Sequence, residues 1–287
     1  MATLPFVKLH GTANDFVYVD ARAGLPAEPA ALAPRLCDRH RGIGADGLIL
    51  LLPATAAGGP GGVPADCRME IWNGDGSRPE MCGNGIRGFA KFVWDRGLVA
   101  KNPLTVETDA GPKRLALELD ADRRVCRVAV DMGRPEWRGR EIPVDADGEV
   151  VDHPLEVAGR TWQVTCVSMG NPHCVVFVDD VAALPLAEIG PRFERHPFFP
   201  RRVNTEFVRV VSPERLEMRV WERGAGETMA CGTGACAATV AAARTGRAGR
   251  AVVVALPGGE LEIAWLEDDR VRMTGDAVEV FEGRIEV

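Results

Sequence analysis

The sequence has no long hydrophobic run, no Cys-x-x-Cys pair and few lysines, and each shortage closes a class of protein. No stretch approaches the roughly 18 consecutive apolar residues of a membrane-spanning helix, so no membrane partner is expected. The first residues, MATLPFVKLHGTANDF, lack the charged start, apolar stretch and small-residue cleavage site of a secretory signal, which predicts a cytoplasmic address. Lysine occurs only at 8, 91, 101 and 113, outside every glycine-rich motif, which argues against the Schiff-base lysine of a pyridoxal-phosphate enzyme. The 34 basic residues are scattered through a chain of net charge -7, so the basic patch of a nucleic-acid binder is missing and a small-molecule substrate is expected. Five histidines and eight cysteines do not fall at zinc-ligand spacing, and neither a metal nor another cofactor is expected.

What is present is a duplication. Met69, Ile71, Trp72, Cys82, Gly83 and Gly85 match Met218, Val220, Trp221, Cys231, Gly232 and Gly234 without a gap, at a constant offset of 149 residues. LTVETDAG (104–111) is echoed by VVVALPGG (252–259), each followed by an alternating stretch. The period is too long for a solenoid and, in 287 residues, predicts two similar lobes. CRMEIW and RLEMRVW alternate as half-buried strands do, and VYVD, GLILLL, CVVFVD and EFVRVV are short apolar runs between turn residues. IRGFAKFVWDRG carries apolar residues at helical spacing from Ile86 to Trp94, with Gly97 as its stop. GACAATVAAARTG is its alanine-rich counterpart, ended by Gly246. The predicted fold is mixed α/β: two pseudo-symmetric lobes, each a mixed sheet or barrel around a central helix. Residues 1–130 would form the first, with a final strand 276–287 returning to it, and 131–275 the second. The active site would lie at their seam. PATAAGGPGGVP (53–64) reads as loop.

Cys82 and Cys231 each precede Gly-x-Gly at a predicted helix start. Unpartnered N–H groups and the positive end of the helix dipole predict a thiol that ionises more easily than usual there, beside backbone able to hold a carboxylate. Two such sites suggest a symmetric reaction. One base returns a proton only to the face it left, whereas a thiolate and a thiol on opposite faces invert the carbon. Cys37, Cys67, Cys126, Cys166, Cys174 and Cys236 read as small buried hydrophobes. A thiol-disulfide or thiol-sensing role for the pair is the rival from another class, weakened by the absent Cys-x-x-Cys.

Five motifs in order, HGTANDF (10–16), RGIGADG (41–47), NGDGSRPEMCGNG (73–85), SMGNPHCV (168–175) and ERGAGETMACGTGACA (222–237), resemble those of the diaminopimelate epimerase family over nearly the whole chain. That resemblance implies epimerisation of LL-diaminopimelate to the meso form in lysine biosynthesis, with Cys82 and Cys231 as exchanging acid and base and no cofactor. It implies Asn14, Asn73, Asn171, Asn204, Glu222 and Arg223 as substrate ligands, and Gly83, Asn84, Gly232 and Thr233 as helix-start contacts to a carboxylate. His173 and Glu222, the latter at the duplicated position of Asn73, would tune the cysteines. A homodimer, involving the region of Phe281, is also implied. A related two-thiol proline or hydroxyproline racemase or epimerase is the nearest alternative. Two departures stand out: Gly47, where some members carry a substrate-reaching Gln, and Ala13, where Gly is frequent.

Overall fold

The computed structural model describes residues 2–55 and 63–287, so most of the glycine-rich segment expected as loop, 56–62, lies outside the described residues. The chain divides into two compact units, Met1–Val130 with Thr274–Val287, and Asp131–Met273.

In the first unit β1 (Thr3–Gly11) and β2 (Asn14–Asp20) form an antiparallel hairpin closed by the Gly11–Asn14 pair. Its two turn residues, Thr12 and Ala13, both take positive φ, 50° and 61°, as the right-handed twist of a hairpin favours. Helix α1 (Pro29–Cys37) crosses to β3 (Gly47–Leu52), which runs parallel to β2. β4 (Cys67–Asn73) returns antiparallel to β3. Helix α2 (Gly83–Asp95) makes a second crossover to β5 (Leu104–Glu107), parallel to β4. β6 (Lys113–Leu119) and β7 (Val125–Asp131) complete an antiparallel meander.

The second unit repeats that order. β8 (His153–Val157), β9 (Arg160–Ser168) and β10 (Pro172–Phe177) are successive antiparallel strands. Helix α3 (Leu186–Glu194) crosses to β11 (Asn204–Ser212), parallel to β10, and β12 (Arg215–Glu222) runs back against β11. A short β13 (Gly226–Thr228) follows, then α4 (Gly232–Arg244), and β14 (Ala251–Leu256) lies parallel to β12. β15 (Gly259–Trp265) pairs with β14, and β16 (Val271–Asp276) leads out of the unit. β17 (Val278–Glu286) then pairs antiparallel with β1, the place beside the first hairpin that β8 takes beside β9.

The duplicated sequence thus builds the same connections twice, a parallel crossover through a small helix and a second through a buried one. α2 packs against β1 to β4, and α4 against β9 to β12 with β14 and β15. The strands form because their apolar, β-branched residues can only be covered on the face turned to that helix. Gly97 and Gly246 end the helices at φ 65° and 70°, where a side chain would strain the backbone. The enclosure of α2 goes beyond its apolar stripe, since Arg87 and Lys91 are buried with it. Lys91 is satisfied there by Asp95 at 2.7 Å and the Val125 carbonyl at 2.6 Å.

Helices α1 and α3 are absent from the sequence-based expectation. Each carries an internal proline, Pro34 or Pro191, which reads as a breaker until tertiary packing overrides it. Cys126 corrects a second expectation. It is exposed on β7 rather than buried, because it occupies an outward position of an alternating strand, and its thiol donates to the Glu118 carbonyl at 3.3 Å. None of the eight cysteines is joined in a disulfide among the described residues.

Candidate active site

Cys82 is the N-cap of α2, in extended conformation at φ -135° and ψ 122°. That geometry turns its sulfur over the first helical turn, where the Gly85 N–H donates to Sγ at 3.4 Å. The thiol donates to Asn14 Oδ1 at 3.6 Å, and Asn84 Nδ2 donates to the same oxygen at 3.4 Å. Asn14 is held from its other side by Asp46, to which its Nδ2 donates at 2.6 Å. Asp46 and Asp15 are themselves tied to Arg39, at 2.8 and 2.9 Å. Beneath, Thr12 Oγ1 donates to Asn84 Oδ1 at 3.2 Å and accepts from the buried Arg87 at 2.9 Å. Arg87 also reaches the carbonyls of Gly83 and Asp276, each at 3.1 Å. Asn73 closes β4 and donates through Nδ2 to Ser77 Oγ at 2.9 Å.

Gly47 opens β3, and its missing side chain is a matter of space. A β-carbon there would lie 2.6 Å from the Trp72 carbonyl and 3.0 Å from the Phe16 ring. The backbone has closed over the position, so a glutamine could not enter without moving β4. Ala13, at φ 61°, sits in the left-handed region that explains the frequent glycine.

Cys231 caps α4 in the same way, at φ -131° and ψ 109°, and accepts the Gly234 N–H at 3.3 Å. Thr233 Oγ1 lies 3.5 Å from its sulfur. Asn171 Nδ2 is 3.3 Å from Thr233 Oγ1, and Asn171 Oδ1 is 2.8 Å from His173 Nε2. His173 Nδ1 lies 2.7 Å from Glu206 Oε1, and both residues are fully buried. Glu222, at the end of β12, accepts from the Thr228 hydroxyl at 2.5 Å. Asn204 bridges backbone, donating to the Pro172 carbonyl and accepting the Arg223 N–H, each at 2.9 Å. The Arg223 side chain is exposed, its guanidinium 3.2 Å from the Arg201 carbonyl.

The electrostatics around Cys231 overturn one expectation. Burial foremost, and then the carboxylates of Glu222 and Glu206, push its thiol well above the ordinary value. The Thr233 hydroxyl and Gly234 N–H pull it down without offsetting that. A helix start contributes only about 0.3–1 kcal/mol at an exposed site, and desolvating a thiolate outweighs it. Burial likewise raises the Glu222 carboxyl, with Glu206 adding to the effect and Thr228, His173 and Cys231 opposing it. Thr12, Arg87 and Glu206 are polar residues of these networks that sequence reading did not single out. Arg87 and Glu206 lie within apolar runs, and only the strand register and helix burial reveal what they touch.

Among the described residues, no group of three or more His, Cys, Asp or Glu could hold a metal ion, and no helix is long and apolar enough to cross a membrane. The duplicated α/β fold is shared with solved structures. A PhzF-family phenazine biosynthesis protein from Bacillus anthracis superposes with a TM-score of 0.70 at 16% identity, covering 100% of both chains. A hydroxyproline epimerase from Agrobacterium vitis does so at 0.69 and 14%, covering 99% of this chain and 92% of that one. At such identities the likeness establishes the fold: two units, each with a cysteine capping a buried helix in this chain. The family model for diaminopimelate epimerase matches residues 6–138 and 165–280. The diaminopimelate epimerase of Moorella thermoacetica is 55% identical over 97% of this chain and 98% of its own. The chain belongs to the diaminopimelate epimerase family and is an isomerase.

Proposed function

We propose that this chain interconverts LL-2,6-diaminopimelate and the meso isomer without a cofactor, Cys82 and Cys231 acting on opposite faces of one α-carbon. The observation that carries the reading is the pair of equivalent N-caps, each with its sulfur over the first turn of a buried helix. Free N–H groups at Gly83, Asn84, Gly232 and Thr233 would hold the α-carboxylate and the negative charge that spreads onto it. One cysteine, as thiolate, takes the α-proton onto sulfur. The electron pair left on carbon delocalises into the carboxylate, and the other cysteine, as thiol, delivers its proton to the opposite face. The enzyme ends with thiol and thiolate exchanged, ready for the reverse reaction. Asn14, Asn73, Asn171, Asn204 and Arg223 suit a substrate with two amino-acid heads, since amides donate and accept at once and a guanidinium grips a carboxylate through two N–H groups. His173 and Glu222 would adjust the charge around Cys231.

Incubation with LL-diaminopimelate in heavy water under reducing conditions tests this. Approach to the meso form, with deuterium entering one α-carbon, is the expected result. Turnover of proline or hydroxyproline with none of diaminopimelate would overturn the substrate, and a pyridoxal absorbance band would overturn the cofactor-free chemistry. The enzyme is further proposed to be a cytoplasmic homodimer formed through β17, where Val278, Val280 and Phe281 are exposed. Sedimentation as a species of about twice 30.9 kDa is expected. A monomer at micromolar concentration would sink that proposal.

A further inference from the structure

The two cysteines cap equivalent helices over floors of opposite character. β2 and β3 are in parallel register with Phe16 beside Gly47, and β10 and β11 with His173 beside Asn204. Two residues along, Ile49 in the first unit therefore corresponds to Glu206 in the second. Both press on the same glycine of the cysteine motif. A β-carbon on Gly85 would lie 2.7 Å from Ile49 Cδ1, and one on Gly234 the same distance from Glu206 Oε1. The pair Phe16 and Ile49 is thus replaced by His173 and Glu206.

Architecture does not require that replacement, since the other unit builds the same strands and helix on an apolar pair. It also works against stability. Glu206 is fully buried, and its Oε2 has no hydrogen-bond partner among the described residues. A buried polar atom left in that state destabilises the fold. Its Oε1 is spent on His173 Nδ1 at 2.7 Å. The other nitrogen, Nε2, faces Asn171, which continues through Thr233 to Cys231.

We propose that Glu206 is a positioning residue for the epimerisation: it accepts the Nδ1–H of His173 and so fixes Nε2 as the nitrogen that faces the Cys231 side. This inference rests on the epimerase reading. A carboxylate that holds a histidine ring in one orientation acts on the reaction through the ring, as in hydrolytic triads. Here the ring's outward nitrogen orients the Asn171 amide, which reaches Cys231 through the Thr233 hydroxyl. The titratable groups around His173 are Glu206 on β11, Glu222 on β12, Cys231 at the start of α4, and Cys174 and Cys166 on β10 and β9. Glu206 alone among them touches the ring at Nδ1.

The test begins with wild type, whose epimerisation of diaminopimelate must be seen first; its absence defeats the functional reading and not the dyad. In active enzyme Glu206→Gln is expected to lower kcat on the order of 10²-fold, by releasing the ring from its orientation, with KM changed less than about threefold. The pH dependence of kcat should shift as well. His173→Gln should produce a similar loss, and the double variant no more than either alone. A second variant guards against misfolding: His173→Phe with Glu206→Ile transplants the floor of the first unit, and is expected to fold while losing turnover. Nitrogen-15 spectra of histidine-labelled wild type, with His173 assigned by its substitution, should show Nδ1 protonated. Normal kcat and pH profile in folded Glu206→Gln, additive losses in the double variant, or a protonated Nε2 with bare Nδ1 would each overturn the proposal.

Discussion

Cys82→Ala and Cys231→Ala are each expected to abolish inversion, with a loss of about 10²–10⁴-fold or more, while leaving the fold intact. Each sulfur accepts a weak N–H bond from its own first turn, from Gly85 or Gly234, and its contact to Asn14 or Thr233 is long, at 3.6 and 3.5 Å, so neither is expected to hold the structure together. The informative signal is isotope exchange. With one base removed, the survivor can still lift a proton from the face it addresses and return deuterium to that face. Each variant should therefore exchange the α-hydrogen of one isomer without inverting it. The pH dependence differs in a definite sense. Cys82→Ala must rely on Cys231 as base, and burial with Glu222 and Glu206 holds that thiol well above its ordinary 9.0. Its thiolate fraction, and with it the exchange rate, should climb as pH rises through 9 and beyond rather than level off there. Near-normal turnover in either single variant would defeat the two-base mechanism. A plateau near neutral pH in Cys82→Ala would contradict the electrostatic account of Cys231.

Arg87→Met is expected to destabilise the protein by about 3–5 kcal/mol, the largest stability effect of any single substitution considered. The guanidinium is fully buried and donates to the Gly83 and Asp276 carbonyls and to the Thr12 hydroxyl. Methionine fills comparable length but takes the side-chain donor away from those three oxygens in a place that water does not reach. Thr12 then loses its anchor. Asn84 and Asn14 lose their spacing from Cys82, and KM should rise on the order of tenfold in whatever fraction stays folded. Denaturant unfolding of the variant should show a lower midpoint with an unchanged slope, the signature of lost stability rather than of a changed unfolded state. A midpoint within experimental error of wild type would show that the buried network carries little.

Much of the architecture was legible in the sequence because duplication and alternation are linear properties. The 149-residue offset aligned β4 with β12 and α2 with α4. Alternating stretches such as RLEMRVW marked strands, and Gly97 and Gly246 marked helix ends. The small helices α1 and α3 were not legible, because their prolines speak against a helix locally and only packing speaks for it. The cysteine caps could be read because a helix start has a local signature in Gly-x-Gly. Glu206 could not. It follows Asn204 and Thr205 in an unremarkable strand, and its meaning comes from a parallel neighbour, β10, and from a glycine in α4. The charge balance at Cys231 was misjudged for a related reason. A helix start can be seen in sequence, but the burial and the two carboxylates that outweigh it come from separate segments of chain.

The return of β17 to β1 sets the order in which the molecule can be completed during synthesis. Residues 274–287 leave the ribosome after the whole of Asp131–Met273, a contiguous unit that can close as soon as it has emerged. The unit begun first must wait. Until β17 arrives, β1 has an open edge along Thr3–His10, and neither the Asp276 carbonyl for Arg87 nor its carboxylate for the Thr12 N–H is available. Domains generally fold from the amino end onward, but here the unit begun before Asp131 is sealed after the one that follows it. The half carrying Cys82 acquires its final shape only once residues 274–287 have emerged.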